Sequence, residues 1–178
     1  MRKKIIAFAA SSSSRSINKQ LVSYAAGLLA DVEAEILDLN DYELPLFSVD
    51  REDQLGQPDL AQAFLQKIEN CDGVIISFAE HNGCYSAAYK NIYDWASRIK
   101  PKVYQDKPML LLATSPGGRG GKSVLELALS QIPRFGGQVK ASLSVPMCAE
   151  KFDADSGTIS HDEIRAQLRA AVDCLFAA

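Results

Sequence analysis

Cys71-Asp72-Gly73-Val74-Ile75-Ile76-Ser77-Phe78-Ala79-Glu80-His81-Asn82-Gly83-Cys84-Tyr85-Ser86-Ala87-Ala88-Tyr89-Lys90-Asn91-Ile92-Tyr93-Asp94-Trp95 is the stretch whose reading decides the fold. Val74 to Ala79 is a short apolar run, rich in β-branched residues and without polar alternation. That is the pattern of a strand covered on both faces, as in a parallel sheet flanked by helices. Glu80 to Tyr85 breaks the run, and Ser86 to Trp95 reads as a helix. The break therefore lies at the carboxyl end of a strand, where ligands bind in open α/β sheets. Asn82-Gly83 tolerates left-handed backbone, which lets main-chain N–H and C=O groups turn into a cleft. Asn-Gly turns are common, so this turn alone predicts only a strand-to-helix connection. Two further loops change that.

Outward from this unit the chain repeats its pattern. Lys3 to Ala10 is a continuous apolar strand ending at Ser11-Ser12-Ser13-Ser14-Arg15-Ser16, and Leu21, Val22, Ala25, Leu28 and Leu29 then recur at helical spacing. A helix begins near Ser16 to Asn18. Glu33 to Leu39 is a partly alternating second strand. Asp41 to Asp53 is a connection carrying Leu44-Pro45-Leu46-Phe47, and Pro58, Leu60, Phe64, Leu65 and Ile68 predict a helix with proline in its first turn. Met109 to Ala113 is another fully apolar strand, followed by the turn Thr114 to Gly121 and a helix through Val124, Leu127, Leu129, Ile132 and Phe135 that Gly136-Gly137 stops. Val139, Ala141, Leu143 and Val145 alternate with polar residues, the mark of a strand with one exposed face. Ser160-x-x-Glu163 reads as a capping box opening a last helix through Ile164, Leu168, Val172 and Leu175.

Five alternations of strand and helix predict an α/β fold: a doubly wound five-stranded parallel sheet with helices on both faces. Putting the fully apolar strands in the middle and the alternating ones at the margins gives the order 2-1-3-4-5 with right-handed crossovers. The chain has 178 residues, 47% hydrophobic and 23% charged, with a net charge of −3. That length predicts one domain over residues 1–178. No basic block points to nucleic acid or an anionic membrane as partner. Cys71, Cys84, Cys148 and Cys174 make no C-x-x-C pair, which predicts reduced thiols in a cytoplasmic protein. His81 and His161 lie too far apart in sequence to suggest a metal site. Arg2-Lys3-Lys4 before Ile5 to Ala10 imitates a secretory leader, but the apolar run is short of the roughly 7–15 residues such a leader needs.

In this strand order the turns after strands one, three and four sit side by side. The first, Ser11 to Asn18, offers serine hydroxyls at a helix amino terminus, where free N–H groups and the helix dipole favour an anion such as phosphate. A flexible turn with Ser16 as helix cap is the alternative. The third, Thr114-Ser115-Pro116-Gly117-Gly118-Arg119-Gly120-Gly121-Lys122-Ser123, fails as a nucleotide-triphosphate loop because Pro116 stands where the first glycine belongs. No G-x-G-x-x-G follows the first strand either. The glycines would instead let a flat group approach bare backbone. A phosphate cup beside two backbone-rich loops suits a ligand joining a phosphate to a planar polar ring, the shape of flavin mononucleotide (FMN).

Ser11 with Ser16-Ile17-Asn18, Glu80-His81-Asn82-Gly83 followed by Lys90-Asn91 and Asp94-Trp95, and Ser115 with Gly117-Gly118-Arg119-Gly120-Gly121 together resemble the NADPH-dependent FMN reductase family of flavodoxin-like proteins. The middle block is the specific part. The family usually reads P-E-Y-N-G and K-N-x-x-D-W there, whereas Ala79 and His81 replace the proline and the tyrosine. The family's first-loop arginine falls at Ser13, with Arg15 two places on. The resemblance implies a flavodoxin-like fold that binds FMN noncovalently, with NADPH or NADH as reductant. It implies a small-molecule acceptor: free flavin, a quinone, an azo dye, a metal oxyanion or oxygen. The cofactor residues it implies are Ser11, Ser13, Arg15, Ser16, Ile17 and Asn18 in the first loop, Glu80, His81, Asn82 and Gly83 in the second, and Ser115, Gly117, Gly118, Arg119 and Gly120 in the third. It implies a homodimer or higher homo-oligomer and no obligatory catalytic side chain, because the flavin carries the hydride.

Lys90, Asp94 and Arg98 are expected to form an ion-pair row on a helix surface, and Trp95 and Tyr89 to pack rather than stack on a flavin. An FMN electron carrier without NAD(P)H activity would share fold and cofactor, but docks partners through a strongly acidic surface that −3 does not supply. A nucleotide kinase is disfavoured by Pro116. A non-flavin scaffold would bind neither.

Overall fold

The computed structural model describes residues 2–153 and 157–177. One parallel sheet is formed by β1 (Lys3–Ala10), β2 (Val32–Leu37), β3 (Gly73–Phe78), β4 (Pro108–Thr114) and β5 (Gln138–Val145), in the order 2-1-3-4-5 expected from the sequence. α1 (Ile17–Gly27) follows β1, α2 (Val49–Leu55) and α3 (Asp59–Glu69) join β2 to β3, α4 (Ala87–Ile99) follows β3, and α5 (Lys122–Gln131) follows β4. α6 (Cys148–Lys151) and an antiparallel ribbon of β6 (Phe152–Asp153) and β7 (Thr158–Ile159) precede α7 (Asp162–Asp173).

Strand residues alternate between two cores. Ile6, Phe8, Val74, Ile76, Phe78 and Leu111 pack with Phe64 of α3, Trp95 of α4 and Leu125 of α5. Ile5, Ala7, Ile75, Leu110 and Leu112 face the other way, onto Leu21 and Val22 of α1 and Leu168 and Val172 of α7. This two-sided cover is why β3 and β4 are apolar almost throughout: each buried Ile, Leu or Phe contributes about 1.5–3 kcal/mol of transfer free energy. β5 alternates in burial and β2 exposes Glu33 through Ile36, so both lie at the sheet margins as their sequences predicted. β2 ends at Leu37 because Asp38 caps a single 3₁₀ turn, Leu39–Tyr42, by accepting from the Asn40 N–H.

Several local expectations differ from the structure. α2 buries no residue and so left no apolar period in the sequence; Ser48 caps it. Pro58 is the N-cap of α3, one place before the first turn. The Ser160-x-x-Glu163 capping box does not form. The Ser160 N–H and hydroxyl both donate to the Lys151 carbonyl, at 2.8 and 3.1 Å, closing the ribbon, and His161 becomes the N-cap of α7. Lys90 pairs with Asp94 at 2.6 Å, but Arg98 leaves the expected row for Glu52 of α2 at 2.9 Å. Tyr89 and Trp95 are buried, and Trp95 Nε1 donates to the Pro45 carbonyl at 2.8 Å. Among the described residues no helix is long and apolar enough to cross a membrane.

Candidate functional site

Parallel register sets Ala10, Phe78 and Ala113 side by side, so the loops leaving β1, β3 and β4 emerge from one edge of the sheet. They enclose a cleft of about 310 Å³ lined by Ser11, Ser13, Arg15, Ser16, Ile17 and Asn18, by Ala79, Glu80 and His81, and by Thr114, Ser115 and Pro116. Three segments far apart in sequence thus meet as the strand order requires.

The first loop gathers hydroxyls and a helix start. Ser16 caps α1 by accepting from the Lys19 N–H at 3.2 Å, and the Ser11 hydroxyl accepts from the Ser13 N–H at 3.2 Å. The Ile17 and Asn18 N–H groups at the start of α1 make no hydrogen bond among the described residues, and the helix dipole points at the same spot. Ser13 and Arg15 are exposed. Asn18 is different: its side chain is buried and turned into the scaffold. Nδ2 donates to the Thr114 carbonyl at 3.2 Å, while Oδ1 accepts from the Thr114 N–H at 3.0 Å and the Ser77 hydroxyl at 2.7 Å.

The second loop is a two-residue hairpin. Asn82 and Gly83 both take positive φ, 52° and 75°, and His81 and Cys84 exchange both backbone bonds at 3.0 Å. The Asn82 and Gly83 N–H groups at the tip make no hydrogen bond among the described residues, and the His81 side chain is exposed. Glu80 Oε2 accepts from the Val124 N–H at 2.9 Å. α5 has Gly121 at its N-cap and no capping side chain of its own, so Glu80 caps it from the neighbouring loop, where a carboxylate also suits the dipole. Just beyond the hairpin, burial holds the Tyr85 hydroxyl far above its usual pKa, hence neutral.

The third loop divides its glycines. Gly120 has φ +60°, and a Cβ there would lie 2.5 Å from Ser144 Oγ and 2.7 Å from Pro146 N, so packing on β5 requires the glycine. Gly117 and Gly118 have nothing within 4 Å of where a Cβ would stand. The loop's carbonyls are held from behind: Gly117 O accepts from the Met147 N–H at 3.1 Å, Ser115 O from the Cys148 N–H at 3.2 Å, and Gly120 O from the Ser144 hydroxyl at 3.0 Å. The Gly117, Gly118 and Arg119 N–H groups make no hydrogen bond among the described residues. Arg119 is exposed and donates to Ser123 Oγ at 2.8 Å. Asn82, Gly83, Gly117, Gly118, Arg119 and Gly120 stand beside the cleft rather than in its lining.

This donor set fits FMN: hydroxyls and a helix start for the phosphate, bare glycine backbone for a planar ring. Sequence reasoning missed Ser77, Thr114 and Ser144, which position these loops. Ser77, the polar residue inside an otherwise apolar strand, was the legible signal.

The model of the family described as NADPH-dependent FMN reductase matches residues 3–152. An NADPH:quinone oxidoreductase of Arabidopsis thaliana is 32% identical over 142 residues, covering 75% of this chain and 67% of that protein. An NAD(P)H:quinone oxidoreductase of Solanum tuberosum is 30% identical over 170 residues, covering 88% and 82%. The solved structure of FerB, a flavoenzyme NAD(P)H:(acceptor) oxidoreductase from Paracoccus denitrificans, shares the fold, with a TM-score of 0.78 at 24% identity over 97% of each chain. Sequence match and fold agree, and the chain belongs to the NADPH-dependent FMN reductase family.

Proposed function

We propose that the chain holds FMN across its three loops and uses NAD(P)H to reduce a quinone. The observation that carries this reading is a cleft lined by the start of α1, by Ala79 to His81 and by Thr114 to Pro116, with the unbonded N–H groups of Asn82-Gly83 and Gly117-Gly118 next along the chain from its lining residues His81 and Pro116. Serine hydroxyls and the Ile17 and Asn18 N–H groups hold the phosphate, with Arg15 beside them. Bound FMN supplies the ring that accepts hydride and passes electrons on. The N–H groups of Asn82, Gly83, Gly117 and Gly118 stabilise negative charge gained at the ring edge, because the paired backbone bonds of His81 and Cys84 hold the one turn and the Met147 N–H and Ser144 hydroxyl, bonded to the Gly117 and Gly120 carbonyls, hold the other. Glu80 and Asn18 orient the loops through α5 and the strand tips.

A quinone is favoured as acceptor by two supports. Relatives from Arabidopsis thaliana, Solanum tuberosum and Escherichia coli carry quinone reductase names. Among the described residues Arg15 is the only Lys or Arg lining the cleft, and the phosphate engages it, which suits a neutral planar acceptor better than an oxyanion. We further read residues 1–178 as one FMN-binding domain, because α7, beyond the matched region, packs on the sheet beside α1. Leu46, Val49 and Leu55, exposed by 69, 64 and 53%, support a homodimer. Free Cys71, Cys84, Cys148 and Cys174 support a cytoplasmic setting.

The test is spectroscopic. The purified protein is expected to be yellow, to release its chromophore on denaturation, to bleach with NAD(P)H without air, and to regain colour on adding a quinone. A colourless protein, or a flavin that NAD(P)H leaves oxidised, overturns the reading.

A further inference from the structure

We infer that Asn82-Gly83 is a self-modification site: the Asn82 side-chain amide condenses with the Gly83 nitrogen, deamidating the turn, and bound FMN holds the reaction off. The second half rests on the reading above, whereas the first stands on the hairpin alone.

The chain has five asparagines, Asn18, Asn40, Asn70, Asn82 and Asn91, and glycine follows only Asn82. Attack by a backbone nitrogen on the preceding side chain is hindered by a side chain on the attacking residue, and glycine has none. Asn18, Asn40 and Asn91 moreover hold their amides in hydrogen bonds. Asn70 is exposed, but the nitrogen after it belongs to buried Cys71 and donates to the Ile68 carbonyl. Asn82 is exposed, its side chain makes no hydrogen bond among the described residues, and the Gly83 N–H is unbonded.

The step balances with water as its only co-reactant. The Gly83 nitrogen bonds to Asn82 Cγ, the Cγ–Nδ2 bond breaks, and Nδ2 leaves as ammonia with the proton from that nitrogen. Water then opens the succinimide at either of its carbonyls, leaving an aspartyl or an isoaspartyl residue at position 82. Closing the five-membered ring requires the side chain and the Gly83 nitrogen to eclipse about the Cα–C bond, which the left-handed turn of Asn82 and Gly83 does not allow. The reaction therefore runs from the opened turn, and only the paired His81 and Cys84 backbone bonds hold the turn shut. FMN engaging the Asn82 and Gly83 N–H groups shuts it further. The isoaspartyl product adds an atom to the backbone of a two-residue turn and displaces both N–H groups, so the reaction retires chains that stand without cofactor.

Peptide mapping of the FMN-free protein, aged at mildly alkaline pH, tests the site, because the amide, aspartyl and isoaspartyl peptides separate. Position 82 is expected to convert at least about tenfold faster than Asn70, and saturating FMN to slow it at least about tenfold. When the aged protein is reloaded with FMN, the isoaspartyl peptide is expected to concentrate in the colourless fraction. Conversion at position 82 no faster than at Asn70 overturns the site. A rate that saturating FMN leaves unchanged, or an isoaspartyl peptide spread evenly between yellow and colourless fractions, overturns the cofactor's part. A protein that never takes FMN defeats the flavin reading instead, and comparing Asn82 with Asn70 in that protein still decides the site.

Discussion

The Ser77 hydroxyl, inside β3, donates to Oδ1 of Asn18, in the first turn of α1, across 2.7 Å. The same oxygen accepts from the Thr114 N–H and the amide nitrogen returns a bond to the Thr114 carbonyl, so one buried side chain ties the serine loop to the tips of two neighbouring strands. Asn18→Ala leaves three polar groups unpaired and is expected to destabilise the apoprotein by about 2–4 kcal/mol, whereas Ser77→Ala costs about 1 kcal/mol. Urea unfolding of the single and double variants checks this. The pair must be non-additive, and FMN affinity must fall in Asn18→Ala as the loop loses its anchor. A loss in Asn18→Ala below about 1 kcal/mol would remove the bridge from the account.

Glu80 caps α5 from another loop, at 2.9 Å from the Val124 N–H. Glu80→Ala is expected to lower stability by about 1 kcal/mol, as for other N-cap losses, and Glu80→Gln by less because it keeps an acceptor oxygen. Calorimetric melting of the FMN-free protein separates the two.

The glycines of the third loop predict opposite phenotypes. Gly120→Ala puts a methyl 2.7 Å from Pro146 N at a φ of +60°, so soluble yield or melting temperature is expected to fall sharply. Gly117→Ala meets nothing within 4 Å, so the free protein is expected to melt as before while FMN affinity drops, read by quenching of flavin fluorescence. A Gly117→Ala protein with unchanged FMN affinity would move the ring elsewhere.

Tyr85, Tyr89, Tyr93 and Tyr104 form a ladder with neighbouring ring centroids 4.9 to 6.3 Å apart, and burial raises the pKa of each. The unfolded chain ionises these phenols near pH 10 while the native state keeps them protonated. Above that pH the native state therefore binds more protons than the unfolded one. Stability is full below about pH 10 and falls as pH climbs from there toward the raised native values, by up to about 1.4 kcal/mol per pH unit for each tyrosine. Alkaline titration followed by tyrosine absorbance should show ionisation coincident with unfolding, and Tyr93→Phe should flatten the decline by about one tyrosine's share.

Much of this protein was legible from residue order. Lys3 to Ala10, Val74 to Ala79 and Met109 to Ala113 announce strands covered on both faces, Glu33 to Leu39 and Gln138 to Val145 alternating strands at the margins, and with right-handed crossovers these patterns give the order 2-1-3-4-5. The order in turn brings the serine, Asn-Gly and glycine loops to one edge. The pattern works because burial on a strand or helix is periodic, and periodicity is a property of the chain read along its length.

Partner choice is not periodic, and tertiary structure alone decided it. Asn18 faces Thr114, 96 residues away, and Glu80 faces Val124, 44 residues away, so two side chains that resemble ligand contacts are turned into the scaffold. Arg98 takes Glu52 from a helix with no buried residue, which no apolar repeat could reveal. Ser160 closes a ribbon instead of opening a helix. A buried donor or acceptor must find whichever partner the packed chain delivers within about 3 Å, and that delivery depends on how sheet and helices settle together.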